Sequence, residues 1–284
     1  MLISENGRIH GDGIRIENPF ESGYTSGVGL FETILVHRGE PLFLEEHYHR
    51  MEGSISRVKL PPLPPCSQIR SWCREYIRAL SQSDTVGEQG RFSGKLRLNY
   101  VKKNCLGADI HIYGEHFSYP MEWYRKGIRA AYSTQPVVAG SDLEGLKSIS
   151  YLEHVLQRQR AMESGFQEVV LLSKAGVICE GTVSNVFWVE GDKLFTPSLD
   201  TGILPGVVRS WVIRKAKELG MEISETFSGA KALEKIVGMF FTGSLMGIMP
   251  VSEFEGKQIG TLENEIYKRL KSCYDELLDD LKQW

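Results

Sequence analysis

The chain is poor in the features that mark secreted, membrane-bound or nucleic-acid-binding proteins. Its five cysteines (Cys66, Cys73, Cys105, Cys179 and Cys273) are an odd number, and no two stand in C-x-x-C spacing. That excludes a disulfide framework and the usual zinc or redox pair; thiols in a reducing compartment are expected. Neither charge sign dominates: 33 Lys and Arg stand against 36 Asp and Glu, for a net charge of −3. Such a balance argues against general nucleic-acid affinity, which needs a basic excess or stripe. No apolar run approaches the ~20 residues that span a bilayer. The opening residues, MLISENGRIHGDG, lack the basic start and apolar core of a signal peptide. A cytoplasmic chain with no membrane partner is expected. There is no repeat and no low-complexity tract.

What is there is an ordinary globular composition, 42% hydrophobic and 24% charged over 284 residues. At roughly 150 residues per domain, the length suggests two domains, each able to bury its own core. Residues 30–36 (LFETILV) read as a strand, 37–40 as a hairpin turn and 41–44 as its return. A helix is expected over 45–58, with two acids in its first turn where the helix dipole favours them. The run PPLPP at 61–65 cannot be helix or central strand. An amphipathic helix follows over 68–81, its apolar face made by Ile69, Trp72, Cys73, Tyr76, Ile77 and Leu80. A polar loop over 82–90 leads to strands at 95–100 and 108–113.

The composition changes over 114–127. We expect a small N-terminal α/β domain over 1–115, a linker at 116–127 and a larger domain over 128–284. The second part carries strands at 128–133, 168–172, 177–179, 184–189 and near 239–241. Its helices are expected over 150–164, 206–219 and 262–281. This interspersion suits a mixed, α+β two-domain enzyme better than a uniform βαβ wind.

Several residues could carry chemistry. In TPSLDTGILPGVVRSWVIRKAKEL, residues 196–219, Pro205-Gly206 stand just ahead of a helix. The amides of Val207 and Val208 are either an ordinary helix start or an anion site, where orphan N–H groups and the dipole point the same way. Lys147, at the edge of a helix, is either a solvated charge or a buried amine made nucleophilic by desolvation. Glu180 follows the apolar 177–179 and precedes Gly181; it is a turn residue or a partly buried carboxylate that needs a partner. Thr182 and Asn185 read as backbone-turn hydrogen bonders. Arg50 shares a helix face with His47, three residues earlier, and is either a solvated charge or a fixed phosphate-binding guanidinium. His47 and His49 fall on different helix faces, so no metal site is expected.

Together these pieces resemble the class IV aminotransferases, the fold-type IV group of pyridoxal-phosphate enzymes. The group includes branched-chain aminotransferases, D-amino-acid aminotransferases and 4-amino-4-deoxychorismate lyases. The resemblance runs over about 27–260. It rests on the order of GVGLFETILVHRGEPLFLEEHYHRM, GLKSISYLEHVLQRQRAMESGFQEVVLL, EGTVSNVFWV, LFTPSLDTGILPGVVR and FFTGSLMGIMPV. It implies that Lys147 holds pyridoxal 5′-phosphate as a Schiff base and shuttles the Cα proton. Glu180 matches the carboxylate that pairs with the pyridine nitrogen and keeps the ring an electron sink. Arg50, the amides of Val207 and Val208, and Ser244 match the phosphate-binding groups. Leu204 matches the apolar residue packed on the ring.

The resemblance further implies a cofactor held between the two domains, amino acid and keto acid substrates, and a homodimer. Phe31, Arg97, Leu245 and Met246 fall where substrate would bind, Arg97 being either a carboxylate ligand or an edge-strand charge. Ser150 stands where the group often has Asn. Phe31 replaces the carboxylate-binding Tyr of the D-amino-acid enzymes, and their Arg-x-His pair is missing. The lyase-like Gly-Arg-Gly-Tyr segment is missing too. SLMGIMPV looks lyase-like, whereas FFTGS and FEGKQIG look like the branched-chain enzymes. An aminotransferase is expected, with aminodeoxychorismate lyase, which releases pyruvate, as the alternative. A cofactor-free binding or scaffold module is the further alternative.

Overall fold

The structure, a computed structural model, describes residues 2–11, 22–83, 91–103, 107–137 and 141–280. Most of the loop expected over 82–90, Cys105, and the end of the helix expected to reach 281 lie outside them. The fold is mixed α/β, as expected. The chain divides into two units: Met1–Ser118 with Leu146–Ser150 and Asp280–Trp284, and Tyr119–Gly145 with Tyr151–Asp279. A short helix, α4 (Met121–Lys126), occupies part of the segment expected as a linker.

The first unit is built on six antiparallel strands: β1 (Ile3–Glu5), β2 (Arg8–His10), β3 (Gly29–His37), β4 (Glu40–Pro41), β5 (Gly94–Lys103) and β6 (Gly107–Glu115), in the order β2-β1-β6-β5-β3-β4. Period-two alternation sorts their side chains. On β5, Leu96, Leu98 and Tyr100 are buried while Lys95, Arg97 and Asn99 are half-buried on the other face. The β3–β4 turn puts both Arg38 (φ 51°) and Gly39 (φ 88°) in the left-handed region, as a two-residue hairpin requires. The return strand is shorter than expected, because Leu44 already opens a helix.

Three helices belong to this unit: α1 (Ser22–Thr25), α2 (Leu44–Ser54) and α3 (Cys66–Ser83). α2 buries Leu44, His47, Tyr48 and Met51, one face of a 3.6-residue period. It ends before 58, tightening into a 3-10 turn at Ser56–Val58. α3 begins right after the proline run. Ile69, Cys73, Tyr76, Ile77 and Leu80 pack with Leu30, Ile34, Leu96, Leu98, Ile110 and Ile112 to form the core on one face of the sheet. Leu146–Ser150 joins the edge of β3: Phe31 N donates to Lys147 O at 2.8 Å and Ile149 N to Gly29 O at 3.1 Å.

The second unit carries β7 (Ile128–Tyr132), β8 (Glu168–Val170), β9 (Asn185–Glu190), β10 (Lys193–Pro197), β11 (Ile223–Thr226), β12 (Gly238–Gly243), β13 (Gly247–Phe254) and β14 (Lys257–Gln258). Their order is β11-β10-β9-β12-β13-β7-β8, with β14 on β13. The β10–β11, β13–β7 and β7–β8 pairs are parallel and the others antiparallel. Both faces of β9 and β12 are buried, which is why NVFWV and GMFF read as continuous apolar runs. Trp188, Met239 and Phe241 enter one core; Phe187 and Phe240 stack at 5.1 Å between ring centres.

The helices here are α5 (Leu152–Glu163), α6 (Val207–Glu218) and α7 (Glu265–Asp280). α7 starts later than expected, after a 3-10 turn, where the Asn264 side chain accepts from the amides of Ile266 and Tyr267 at 3.1 and 3.2 Å. Residues 177–179, expected as a strand, make only single bridges, Leu172↔Ile178 and Val177↔Gly229. β13 was not anticipated, because Pro250 in its middle lacks the N–H a central strand normally needs. Among the described residues no helix is long and apolar enough to cross a membrane.

Candidate active site

In the first unit, the side chains of Phe31, Thr33, Arg97 and Asn99 share the sheet face opposite the helices. The antiparallel register sets Phe31 across from Asn99 and Thr33 across from Arg97. The Arg97 guanidinium lies 3.4 Å from the centre of the Phe31 ring, and Nε of Arg97 donates to Asn99 Oδ1 at 3.0 Å. Lys147, held at the β3 edge by its carbonyl, places Nζ 4.4 Å from the same ring centre. A guanidinium and an amine therefore share one aromatic ring, a cation–π arrangement that keeps both heads on this face. Ser150, three residues on, donates from Oγ to Gly27 O at 3.0 Å and fixes the turn after the lysine.

Arg50 is not a solvated charge. It is nearly buried, and its Nε donates to Glu32 Oε1 at 2.8 Å while a terminal nitrogen pairs with Glu32 Oε2. His47 Nδ1 lies 2.7 Å from Glu32 Oε2 and 3.4 Å from a terminal nitrogen of Arg50. Burial pushes the Glu32 carboxyl up, but the Arg50 guanidinium and His47 outweigh it and hold it at about 2. Burial drives the His47 imidazole below its ordinary value, and the charges of Arg50 and Lys147 add to that against the pull of Glu32. An ionised, accept-only carboxylate beside a neutral imidazole assigns the proton to Nδ1, which donates to Glu32. Glu32 was missed in the sequence, where it is one acid inside an apolar strand. The signal was its spacing: Leu30, Glu32 and Ile34 point to the same buried face.

In the second unit, the Glu180 carboxylate is held by N–H donors. Leu204 N donates to its Oε2 at 3.2 Å and Asn185 Nδ2 at 3.3 Å. Asn185 also donates to Leu204 O at 3.0 Å, so it locks the 180–185 turn to the segment before α6. Gly206 is required there, since a Cβ would overlap Asn185 Oδ1. Val207 and Val208 are buried as the first residues of α6, and the N-cap Gly206 offers no side-chain cap. Arg209 fixes that helix start by donating to Pro197 O at 2.7 Å and Glu225 Oε2 at 2.6 Å.

A second buried acid organises the same turn. Glu168 Oε1 accepts from Thr182 N at 2.9 Å and Thr182 Oγ1 at 2.6 Å, and Oε2 from Ser184 Oγ at 2.9 Å. Thr182 lies in the turn, but its hydroxyl bonds the Glu168 carboxylate instead of the turn backbone, and Asn185 reaches Glu180. Ser244, Leu245 and Met246 form the turn between β12 and β13. The Met246 side chain enters the core, and its carbonyl accepts from Tyr124 Oη at 3.1 Å. Thr242, across the ladder from Asn185, is buried with Oγ1 unpartnered among the described residues.

Elsewhere, ligand atoms of Glu5, Asp109 and His111 lie within 4.8 Å of one another. Lys103 at 3.0 Å and Asn6 at 2.8 Å already engage the two Asp109 oxygens, and His111 Nε2 lies 3.6 Å from Glu5 Oε1.

The Amino-transferase class IV family matches residues 29–254. Aminodeoxychorismate lyase of Bacillus subtilis (strain 168) is 26% identical over 290 residues, covering 99% of this chain and 96% of its own. The branched-chain-amino-acid aminotransferase of Escherichia coli (strain K12) is 28% identical over 244 residues, covering 82% of this chain and 78% of its own. Among solved structures, a hypothetical aminotransferase from Mycobacterium tuberculosis in its PLP-bound form superposes with a TM-score of 0.83 at 19% identity. The match covers 97% of this chain and 98% of that one.

Proposed function

The chain belongs to the class IV aminotransferase family, and from that premise we propose that it is a pyridoxal-phosphate-dependent aminotransferase, moving an amino group between an amino acid and a 2-keto acid. The observation that carries this reading is the pairing of Lys147 with Arg97 over the Phe31 ring, at 4.4 and 3.4 Å from its centre. It sets a nucleophilic amine beside a cation suited to a substrate carboxylate.

Each unit by itself presents groups of the kinds that the cofactor needs. Glu180, held by N–H donors, presents a carboxylate for a protonated ring nitrogen. Arg50, the Val207 and Val208 amides and the Ser244 hydroxyl supply phosphate donors. The Thr242 hydroxyl, buried and unpartnered among the described residues, lies two residues from Ser244 and adds donor capacity at that turn. Pyridoxal phosphate supplies an aldehyde and an electron-withdrawing ring that stabilises negative charge at Cα. In this reading the Lys147 amine would hold that aldehyde, and the same amine would take and return the substrate Cα proton. Leu204 packs on the ring, and Phe31 and Leu245 shape the substrate side, while Met246, expected there, is buried in the core behind the β12–β13 turn. The protein acts as a homodimer in the cytoplasm; the apolar residues that α5 leaves exposed, Leu152, Val155, Leu156 and Met162, support a second copy.

The test is the visible spectrum of the purified protein titrated with L- and D-amino acids. A band that one amino acid removes and a keto acid restores establishes transamination; Lys147→Ala abolishes the band and the turnover. The similarity to aminodeoxychorismate lyase over nearly the whole chain favours a second reading, with the same lysine but release of pyruvate. A band that no amino acid shifts, with pyruvate formed from aminodeoxychorismate, selects it.

A further inference from the structure

Nothing in the reaction assigned to this family calls for a carboxylate behind the phosphate-binding guanidinium, yet Arg50 makes two contacts to a buried acid. We propose that Glu32 and His47 are positioning residues that fix the Arg50 fork for the cofactor phosphate, so that phosphate affinity is set from the buried side of β3. The proposal rests on the reading of Arg50 as a phosphate ligand.

The geometry is directional. Glu32 Oε1 takes the Arg50 Nε hydrogen at 2.8 Å, and Oε2 takes a terminal hydrogen on the same edge. Two parallel bonds to one carboxylate fix the plane of the guanidinium as well as its position. The other edge then has one orientation in which to meet an anion. Glu32 is itself fixed, because the second bond to Oε2 comes from His47 Nδ1 at 2.7 Å. His47 and Arg50 are i, i+3 neighbours on α2, so helix and strand are clamped through one carboxylate.

Charge gives the pair a second role. Arg50 and Lys147 are two cations in this part of the unit, and Lys147 lies near enough for its charge to depress the His47 imidazole. A buried guanidinium without a partner is costly to desolvate. Glu32 offsets that cost before any phosphate arrives, and it stays ionised at every working pH because Arg50 and His47 outweigh its burial. Positioning and repulsion act in opposite senses here, since Glu32 also repels a phosphate. Gln at 32 would put an N–H against an Arg50 donor in either orientation of its amide, because Arg50 donates to both oxygens, so loss of position outweighs relief of repulsion.

The experiment compares equilibrium binding of pyridoxal 5′-phosphate and of pyridoxal, which lacks the phosphate, to the full-length protein freed of cofactor, read by the visible band. Glu32→Gln is expected to lower the phosphate preference about tenfold while pyridoxal affinity changes less than roughly threefold. A general loss of structure would weaken both ligands alike and leave their ratio unchanged. If Glu32→Gln does not fold, the same ratio is read on His47→Phe, which loses the donor, and on His47→Asn, whose amide restores a donor near Nδ1. His47→Phe is expected to lose the preference and His47→Asn to regain most of it. An unchanged or increased preference in Glu32→Gln, or in His47→Phe where the former does not fold, overturns the positioning role and leaves the enzyme reading intact. A wild-type protein that binds neither ligand overturns that reading itself.

Discussion

At the residue scale the most consequential group is Glu32, and its pH behaviour has a definite sign. Its carboxyl is held at about 2 in the folded chain against an ordinary 4.5. A depressed carboxylate contributes stability above its unfolded value, and that contribution is lost as pH falls from about 4.5 towards 2. His47, also depressed, acts in the same direction from a higher pH: below its ordinary 6.5 the unfolded chain takes up a proton that the folded one refuses. Denaturation midpoints should therefore fall in two stages on acidification, the first removed in His47→Phe and the second in Glu32→Gln. A flat profile in the wild type between pH 6.5 and 3 would contradict both shifts. Lys147, Arg50 and Glu180 were singled out by the resemblance; the residues alone left each open between a solvated charge or turn residue and a functional group. Glu32 was not, since strand alternation names the face but not the helix residues, 15 and 18 positions later, that cover it. Asn185 was underread for the same reason, its partner Leu204 being 19 residues away. Gly206→Ala tests that contact. Its Cβ would displace the Asn185 amide from Leu204 and Glu180, and a loss of about 1–3 kcal/mol in a thermal melt is expected, with weaker retention of the visible band.

At the scale of elements, periodicity located most helices and strands, and the differences have local causes. α2 stops early as its last turn tightens ahead of the prolines, β13 is interrupted in sequence by Pro250, and 177–179 divide their pairing between two partners. What periodicity cannot display is the buried polar wiring between elements. Glu168 on β8 holds the 180–185 turn through Thr182 and Ser184, and Arg158 stands 3.7 Å from Oε2, the oxygen that Ser184 uses. In this way a strand acid presents Glu180 without touching it. Glu168→Gln keeps an acceptor for Thr182 only by reversing the Ser184 hydroxyl from donor to acceptor, and it removes the charge that faces Arg158. We expect a loss on the order of 2–4 kcal/mol by chemical denaturation. Because the turn would loosen, a sharper fall in cofactor retention than in Lys257→Gln, a control exposed on β14, is also expected. Equal midpoints for Glu168→Gln and wild type would show that the turn is held by its backbone bonds alone.

At the scale of the whole molecule, α5 is turned the wrong way for a helix that serves only its own unit. Its buried side is polar: Gln157 accepts from Ser133 Oγ at 2.6 Å and donates to Gln135 O at 3.1 Å, with Ala161 beside it. Its exposed side carries Leu152, Val155, Leu156 and Met162, with Leu152 at 69% and Val155 at 53% exposure. At 100° per residue these four fall within one third of the helix circumference, so they form a stripe rather than scattered exposure. A composition with net charge −3 leaves no electrostatic barrier large enough to keep two such faces apart. The homodimer proposed from family resemblance therefore has a physical driving force in this helix. Sedimentation of the wild type should give a dimer at micromolar concentration. Val155→Glu, which places a charge in the stripe at a site already exposed in the single chain, should shift it to monomer while changing unfolding of that monomer by less than about 0.5 kcal/mol. A conservative Val155→Leu should remain dimeric. If Val155→Glu sediments as the wild-type dimer does, the stripe lies outside the interface, and the second copy must be held through another surface.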